Sequence, residues 1–215
     1  MKGNVFFSTA RNKAGNLITY LRYGEMCARG YSEAVAHPRN PKTSAQLMQR
    51  AKMSFIGKMF KGAAVILRTG LSDVAAASKM AAYSMAVKLN FPFLDGQTPQ
   101  SITLDPSLIK VADGPIMGVV PSPSVDVSTP GKVIITVDDA HSGEPGVDNS
   151  DTIRVVLFNP DLLQWVSGSV DGRSSRTVQV NVPAAWEGQE AHAYIYATHG
   201  SQASPSAYVG HAPIG

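Results

Sequence analysis

The sequence predicts an α+β protein: an N-terminal β-hairpin plus two α-helices, followed by a C-terminal immunoglobulin-like all-β sandwich. Three observations carry this expectation. Apolar residues follow a helical period in the first half and a period of two in the last 90 or so residues, and short strand candidates in that last part are separated by Gly, Pro, Asp, Asn and Ser clusters. The charge also changes sign along the chain. Residues 1–97 carry 14 Lys/Arg against 4 Asp/Glu, a net of +10, whereas residues 98–215 carry 5 against 12, a net of −7. Such asymmetry predicts two surfaces with different partners.

Val5–Phe7 and Leu17–Leu21 are β-branched or aromatic runs separated by a turn-like stretch at residues 11–15, and they predict the hairpin. Residues 25–36 have no clear period. Pro38 and Pro41 then hold the chain extended ahead of Thr43, which stands three residues before Gln46 at capping-box spacing. From Ser44 to about Arg68 the residues Leu47, Met48, Phe55, Met59, Ala63 and Ile66 fit one helical face, with Gly70 as the expected C-cap. Ser72 caps the expected second helix, which runs through an Ala/Met-rich stretch to about Leu89 before Asn90 and Pro92 stop it.

Six prolines between residues 97 and 131 mark a connector, with strand candidates at Ser101–Leu104 and Ile116–Val120. The expected division is therefore a basic hairpin and helical docking domain over 1–97, a Pro-rich connector over 98–123 and a sandwich over 124–215. Its strand candidates are Val133–Val137, Thr152–Phe158, Leu163–Val166, Thr177–Val182, Ala191–Ala197 and Ala207–Val209, with Trp165, Trp186, Tyr194 and Tyr196 as core aromatics. Cys27 is the sole cysteine, so no intrachain disulfide supports the fold. No apolar run reaches the ~18 residues of a membrane span, and no signal peptide opens the chain; cytoplasmic synthesis is expected, and assembly into a virion is compatible with it.

Two stretches resemble a known family. Gly15-Asn16, then Asn40-Pro41-Lys42-Thr43-Ser44-Ala45-Gln46 with Gln49-Arg50-Ala51-Lys52 and Phe55, resembles the NP-x-T-x-A-Q-x-x-Q-R-x-K-F signature of DUF6266, uncharacterised proteins of Bacteroidetes and their mobile elements. Val137-Asp138-Asp139, residues 143–151 and Val155-Val156-Leu157-Phe158-Asn159-Pro160 are similar to the second half of that family. The chain departs from the pattern at Ser44, where proline is common, at Met53, and at Phe158, where tyrosine is common. The resemblance implies an architecture and a lineage but no activity. NP-x-T-x-A-Q blocks also occur in prophage-encoded proteins, which implies a virion or assembly role.

The most informative functional feature is the absence of acidic residues between Glu33 and Asp73. Arg39, Lys42, Arg50, Lys52, Lys58, Lys61 and Arg68 lie in that gap. On one continuous helix, Arg50, Lys58, Lys61 and Arg68 fall within about 80° of one another, opposite the apolar stripe. Arg39, Lys42, Arg50, Lys58, Lys61 and Arg68 are thus the candidate binding residues, for a protein partner or for phosphates, with a plain solvated face as the bland alternative.

Asp138, Asp139, Glu144, Asp148 and Asp151 gather around one loop, where carboxylates could converge on a calcium ion, but not at EF-hand spacing; solvated turn residues are the expected account and a metal the alternative. His37, His141, His192, His199 and His211 lack metal-ligand spacing, Cys27 lacks an activating neighbour, and Ser167-Gly168-Ser169 does not fit GxSxG. No P-loop or GxGxxG occurs. The expectation is a non-enzymatic structural or assembly protein, with no metal, cofactor or small-molecule substrate, acting as a homo-oligomer or with other structural proteins. The alternatives are a nucleic-acid-binding module using the basic helix face and a surface adhesion or carbohydrate-binding module.

Overall fold

Antiparallel pairing organises the start of the chain. The computed structural model describes residues 12–14, 17–22, 24–30, 43–119, 124–127, 129, 131–137, 144, 147–173 and 176–214. Strands β1 (Asn12–Ala14), β2 (Leu17–Arg22) and β3 (Glu25–Gly30) form a sheet in the order β1-β2-β3. Gly24 at φ +78° supplies the left-handed turn between β2 and β3, which pair without a break from Arg22↔Glu25 to Leu17↔Gly30. The Leu17–Leu21 arm of the expected hairpin is β2, while Val5–Phe7 lies outside the described residues. Glu25–Gly30, where the sequence has no evident period, is a strand with only Cys27 partly buried, so no apolar alternation could announce it.

The chain divides into two compact units, Met1–Gln46 and Leu47–Gly215. The helices therefore belong with the C-terminal sheets, although the charge change suggested a division after residue 97. Helix α1 (Ser44–Met59) starts at the expected capping box: the Thr43 amide donates to Gln46 Oε1 and the Gln46 amide to Thr43 Oγ1, each at 3.4 Å.

Among the described residues, three α-helices stand where two were expected. The first ends at Met59 because Gly62, at φ +88°, turns the chain before α2 (Ala64–Ala77) begins. Gly70 lies inside α2 and is no C-cap; a Cβ there would sit 2.4 Å from the Val111 carbonyl oxygen, so its role is to let residues 111–112 approach the helix. Ser72 is no N-cap either, since its hydroxyl donates back to the Arg68 carbonyl within α2. The real stop lies at Lys79, at φ +51°, where Met80 N donates to Ala75 O and Lys79 N to Ala76 O in a Schellman pattern with lysine in glycine's usual place. Helix α3 (Ala82–Asn90) follows.

Beyond the helices, β5 (Lys132–Val137) lies between β4 (Ser124–Asp126) and β8 (Arg176–Asn181) in a three-stranded sheet. A five-stranded sheet joins β7 (Gln164–Asp171), β6 (Thr152–Asn159) and β9 (Glu190–His199), and β9 carries both β10 (Gln202–Ala203) and β11 (Ala207–Pro213) on its far side. The two sheets share a core. Val133, Ile135 and Val137 of β5, Val178 and Val180 of β8, Ile153, Val155 and Leu157 of β6, and Ala193, Ile195 and Ala197 of β9 fill it, with Trp186 fully buried. Period-two alternation sends Val156, Phe158, Tyr194 and Tyr196 to the other face of the same sheet, against Ile56, Phe60, Leu67 and Leu71 of the helical region. β6 and β9 are thus buried on both faces, which is why their sequences are almost continuously apolar. Each fully buried large apolar side chain contributes about 1.5–3 kcal/mol.

Trp165 locks the layers together: its indole N–H donates to Met59 O at 2.6 Å while its ring stacks on Phe158, centroid to centroid 4.2 Å. Within 98–119, the stretch expected as connector, Ile102, Ile109, Val111, Ala112 and Val119 are buried, and the Asn90 side chain exchanges hydrogen bonds with both the amide and the carbonyl of Lys110. Ser101–Leu104 forms only a single bridge, Asp95↔Thr103, and residues 116–119 form no strand; Ile116 N bonds instead to Ala203 O.

Candidate interaction surface

The basic residues follow the broken helix. Arg50 and Lys58 share the solvent face of α1, Lys61 lies in the turn after it and Arg68 lies on α2; all four are exposed. The single stripe expected over residues 50–68 is therefore divided, because Gly62 redirects the chain between Lys61 and Arg68. Arg39 and Lys42 lie outside the described residues. Lys52, on the inner side of α1, is held by the Leu94 carbonyl at 2.8 Å.

Lys58 and Lys61 do come together. They border a cleft of about 580 Å³ with Gly62, Leu162, Leu163 and Gln164, between the end of α1 and the β6–β7 turn. Lys58 also borders a second cleft, of about 200 Å³, with Ala51, Ser54, Phe55, Pro99, Gln100 and Ile102. No carboxylate lines either cleft, so both lysine charges face solvent beside apolar and amide groups. Such an arrangement concentrates positive charge at the mouths of both clefts.

Of the five acidic residues around the 138–151 loop, Asp138 and Asp139 lie outside the described residues and Glu144 is exposed. Asp148 and Asp151 meet His199, with ligand-type atoms within 4.8 Å of one another, beside a cleft of about 290 Å³. Asp151, however, is already neutralised. Arg173 Nε donates to its Oδ2 at 2.9 Å with both side chains buried, and Arg173 Nη2 donates to Met117 O at 2.8 Å. A cation entering here would meet a guanidinium. His199 Nδ1 completes the group, 2.9 Å from Asp151 Oδ1 and 3.5 Å from Asp148 Oδ2. Hydrogen bonds from the Ser150 hydroxyl and amide hold the Asp148 carboxyl below its usual range. This cluster closes the start of β6 onto the end of β7. Sequence reading missed Arg173, which sits in a Gly/Ser turn with nothing to signal its burial.

A second polar group occupies the outer edge of the five-stranded sheet. His192 Nδ1 lies 2.9 Å from Tyr208 Oη, and His192 pairs with His211 across β9 and β11. Burial, then the neighbouring His211, pushes the His192 pKa down. Tyr194, whose hydroxyl donates to Pro106 O at 2.7 Å, has its pKa raised by burial.

No curated protein matches the chain. It is similar to a solved structure of a β-D-glucuronidase of Dictyoglomus thermophilum, at 15% identity and a TM-score of 0.26, over 41% of this chain and 14% of that one. A family model that carries no described function matches residues 9–210, nearly the full length, and the chain belongs to that family of unknown function, DUF6266.

Proposed function

We propose that the protein is a non-enzymatic assembly component whose basic N-terminal unit joins a larger structure and whose C-terminal sheets form an immunoglobulin-like body. One observation carries this reading. Residues 1–46 carry 7 Lys/Arg against 2 Asp/Glu, a net of +5, and of the described side chains of β2 and β3 only Ile18 and Thr19 are buried. Leu17, Leu21 and Met26 are 45%, 47% and 57% exposed on the face opposite Ile18. A sheet of three strands of three to six residues with so little burial among its described side chains is marginal alone, and a partner that covers it supplies further burial. The net of −7 over residues 98–215 offers charge of the opposite sign in a neighbouring copy.

The strand order supports the immunoglobulin-like reading of the body. A three-stranded β4-β5-β8 sheet that shares a core with β7-β6-β9-β11 supports a seven-stranded Greek-key sandwich. The NP-x-T-x-A-Q block shared with prophage-encoded proteins supports membership of a phage or mobile-element particle, made in the cytoplasm.

Size-exclusion chromatography with light scattering tests the reading. A discrete oligomer is expected from the full chain, and its loss is expected when residues 1–42 are removed. A full-length monomer from micromolar to hundreds of micromolar overturns it. The exposed lysines of the 580 Å³ cleft favour a second reading, that the surface tracks nucleic-acid phosphates; binding would then weaken steeply with salt.

A further inference from the structure

We infer that β3 is the pairing edge of a twofold dimer, in which Glu25–Gly30 of a second copy runs antiparallel beside it. The inference rests on the assembly reading and names its partner. Among the described residues the sheet has two edges, and they differ. β1 offers three residues, whereas β3 offers six in unbroken register with β2. Sheet edges that must stay unpaired are protected by proline, a bulge, a covering chain or charged side chains, lysine above all; the two charges of β3 are opposite in sign and so attract rather than repel an antiparallel mate. The strand Glu25-Met26-Cys27-Ala28-Arg29-Gly30 contains no proline and no lysine, and its register shows no bulge.

The strand is also complementary to itself. Antiparallel pairing about a twofold axis through Cys27 sets Glu25 opposite Arg29 twice, and Met26 opposite Ala28 twice. A shift of one residue would set Met26 opposite Arg29 and leave Glu25 opposite Gly30, so both ion pairs would be lost. In the Cys27-centred register, opposite charges meet directly across the strands on one face, which offsets the repulsion between two basic units. On the other face, Leu21 adjoins Met26 within each copy, and Met26 adjoins Ala28 of its mate, so the exposed apolar strip continues from β2 and β3 of one copy to β3 of the other.

Cysteine-directed crosslinking of the full chain, joined to charge exchange, tests the pairing. A short bismaleimide or mild oxidation is expected to give a covalent dimer joined Cys27 to Cys27, which Cys27→Ser abolishes. Glu25→Arg and Arg29→Glu are each expected to weaken self-association about tenfold. Mixing the two single variants, or combining both changes in one chain, is expected to restore it, because opposite charges then face one another again; this also controls for any contact that Glu25 makes within its own copy. A wild-type monomer at all concentrations overturns both the assembly reading and this pairing. An oligomer that gives no Cys27 linkage and ignores the charge reversals overturns the pairing alone.

Discussion

Arg173 and Asp151 form an ion pair 2.9 Å long, with their side chains 0% and 2% exposed, that ties the turn after β7 to the residue before β6. The remaining acceptors are also engaged: the Asp151 carbonyl receives the Gly172 amide at 2.9 Å, and the Asn149 carbonyl receives the Arg173 amide at 3.2 Å. The pair closes the polar end of the sheets and leaves little negative charge for a cation.

Removing one partner strands the other in a low-dielectric setting. Arg173→Ala should cost about 3–5 kcal/mol, and for a chain of this size the melting temperature should fall on the order of 10 °C. Arg173→Met combined with Asp151→Leu should recover most of that loss, since no buried charge remains. Thermal unfolding measures both; a single variant within about 0.5 kcal/mol of wild type would show the pair to be solvated.

Gly70→Ala should destabilise the protein although alanine is the better helix former by about 1 kcal/mol. The added methyl would meet the Val111 carbonyl oxygen at 2.4 Å and Ala112 Cβ at 2.8 Å, and backbone cannot move aside as a flexible side chain can. A net loss of about 1–3 kcal/mol in urea unfolding is expected. A gain would mean that residues 111–112 are free to shift.

Where sequence reading succeeded and failed follows from what each signal measures. The Thr43–Gln46 capping box and the alternation in β5 were legible because local hydrogen bonding and one-sided burial leave a periodic trace. The helix break was not, because Ala63 and Ile66 stay apolar and in phase across a turn made by Gly62 alone. Lys79 hid the end of α2 by occupying a position that glycine usually marks. Arg50, Lys58, Lys61 and Arg68 are exposed, but their expected grouping depended on a continuous helix; the pairing of Lys58 with Lys61 beside the β6–β7 turn is tertiary and leaves no spacing to find. Arg173 was invisible for the same reason, its partner Asp151 being 22 residues away.

His192 gives the fold a pH dependence of known sign. Burial holds its folded pKa below the ordinary 6.5, with His211 adding to the shift and Glu190 and Asp105 opposing it. The unfolded chain therefore takes up the proton first as pH falls. Stability from this group is complete above pH 6.5, declines from there to the folded midpoint, and changes no further below it. NMR titration should find the His192 midpoint below 6.5, and His192→Gln should flatten the slope of stability against pH in that window. A midpoint at or above 6.5 would contradict the packing against Tyr208 and His211.

Lys58 and Lys61 should dominate any polyanion binding by this protein, because they alone among the four exposed cations of residues 50–68 border one cleft together. Each phosphate contact contributes a slope of about 0.9 for duplex DNA or 0.7 for a single strand in a plot of log affinity against log salt. Lys58→Glu with Lys61→Glu should therefore reduce that slope by about 1.4–1.8 in anisotropy titrations with an oligonucleotide, while Arg68→Glu, on a different helix, leaves it nearly unchanged. Self-association through β3 should survive the double change, since neither lysine belongs to that strand. If Arg68→Glu instead matched the double variant, the charges would act as a diffuse field and the cleft would have no special part in recognition.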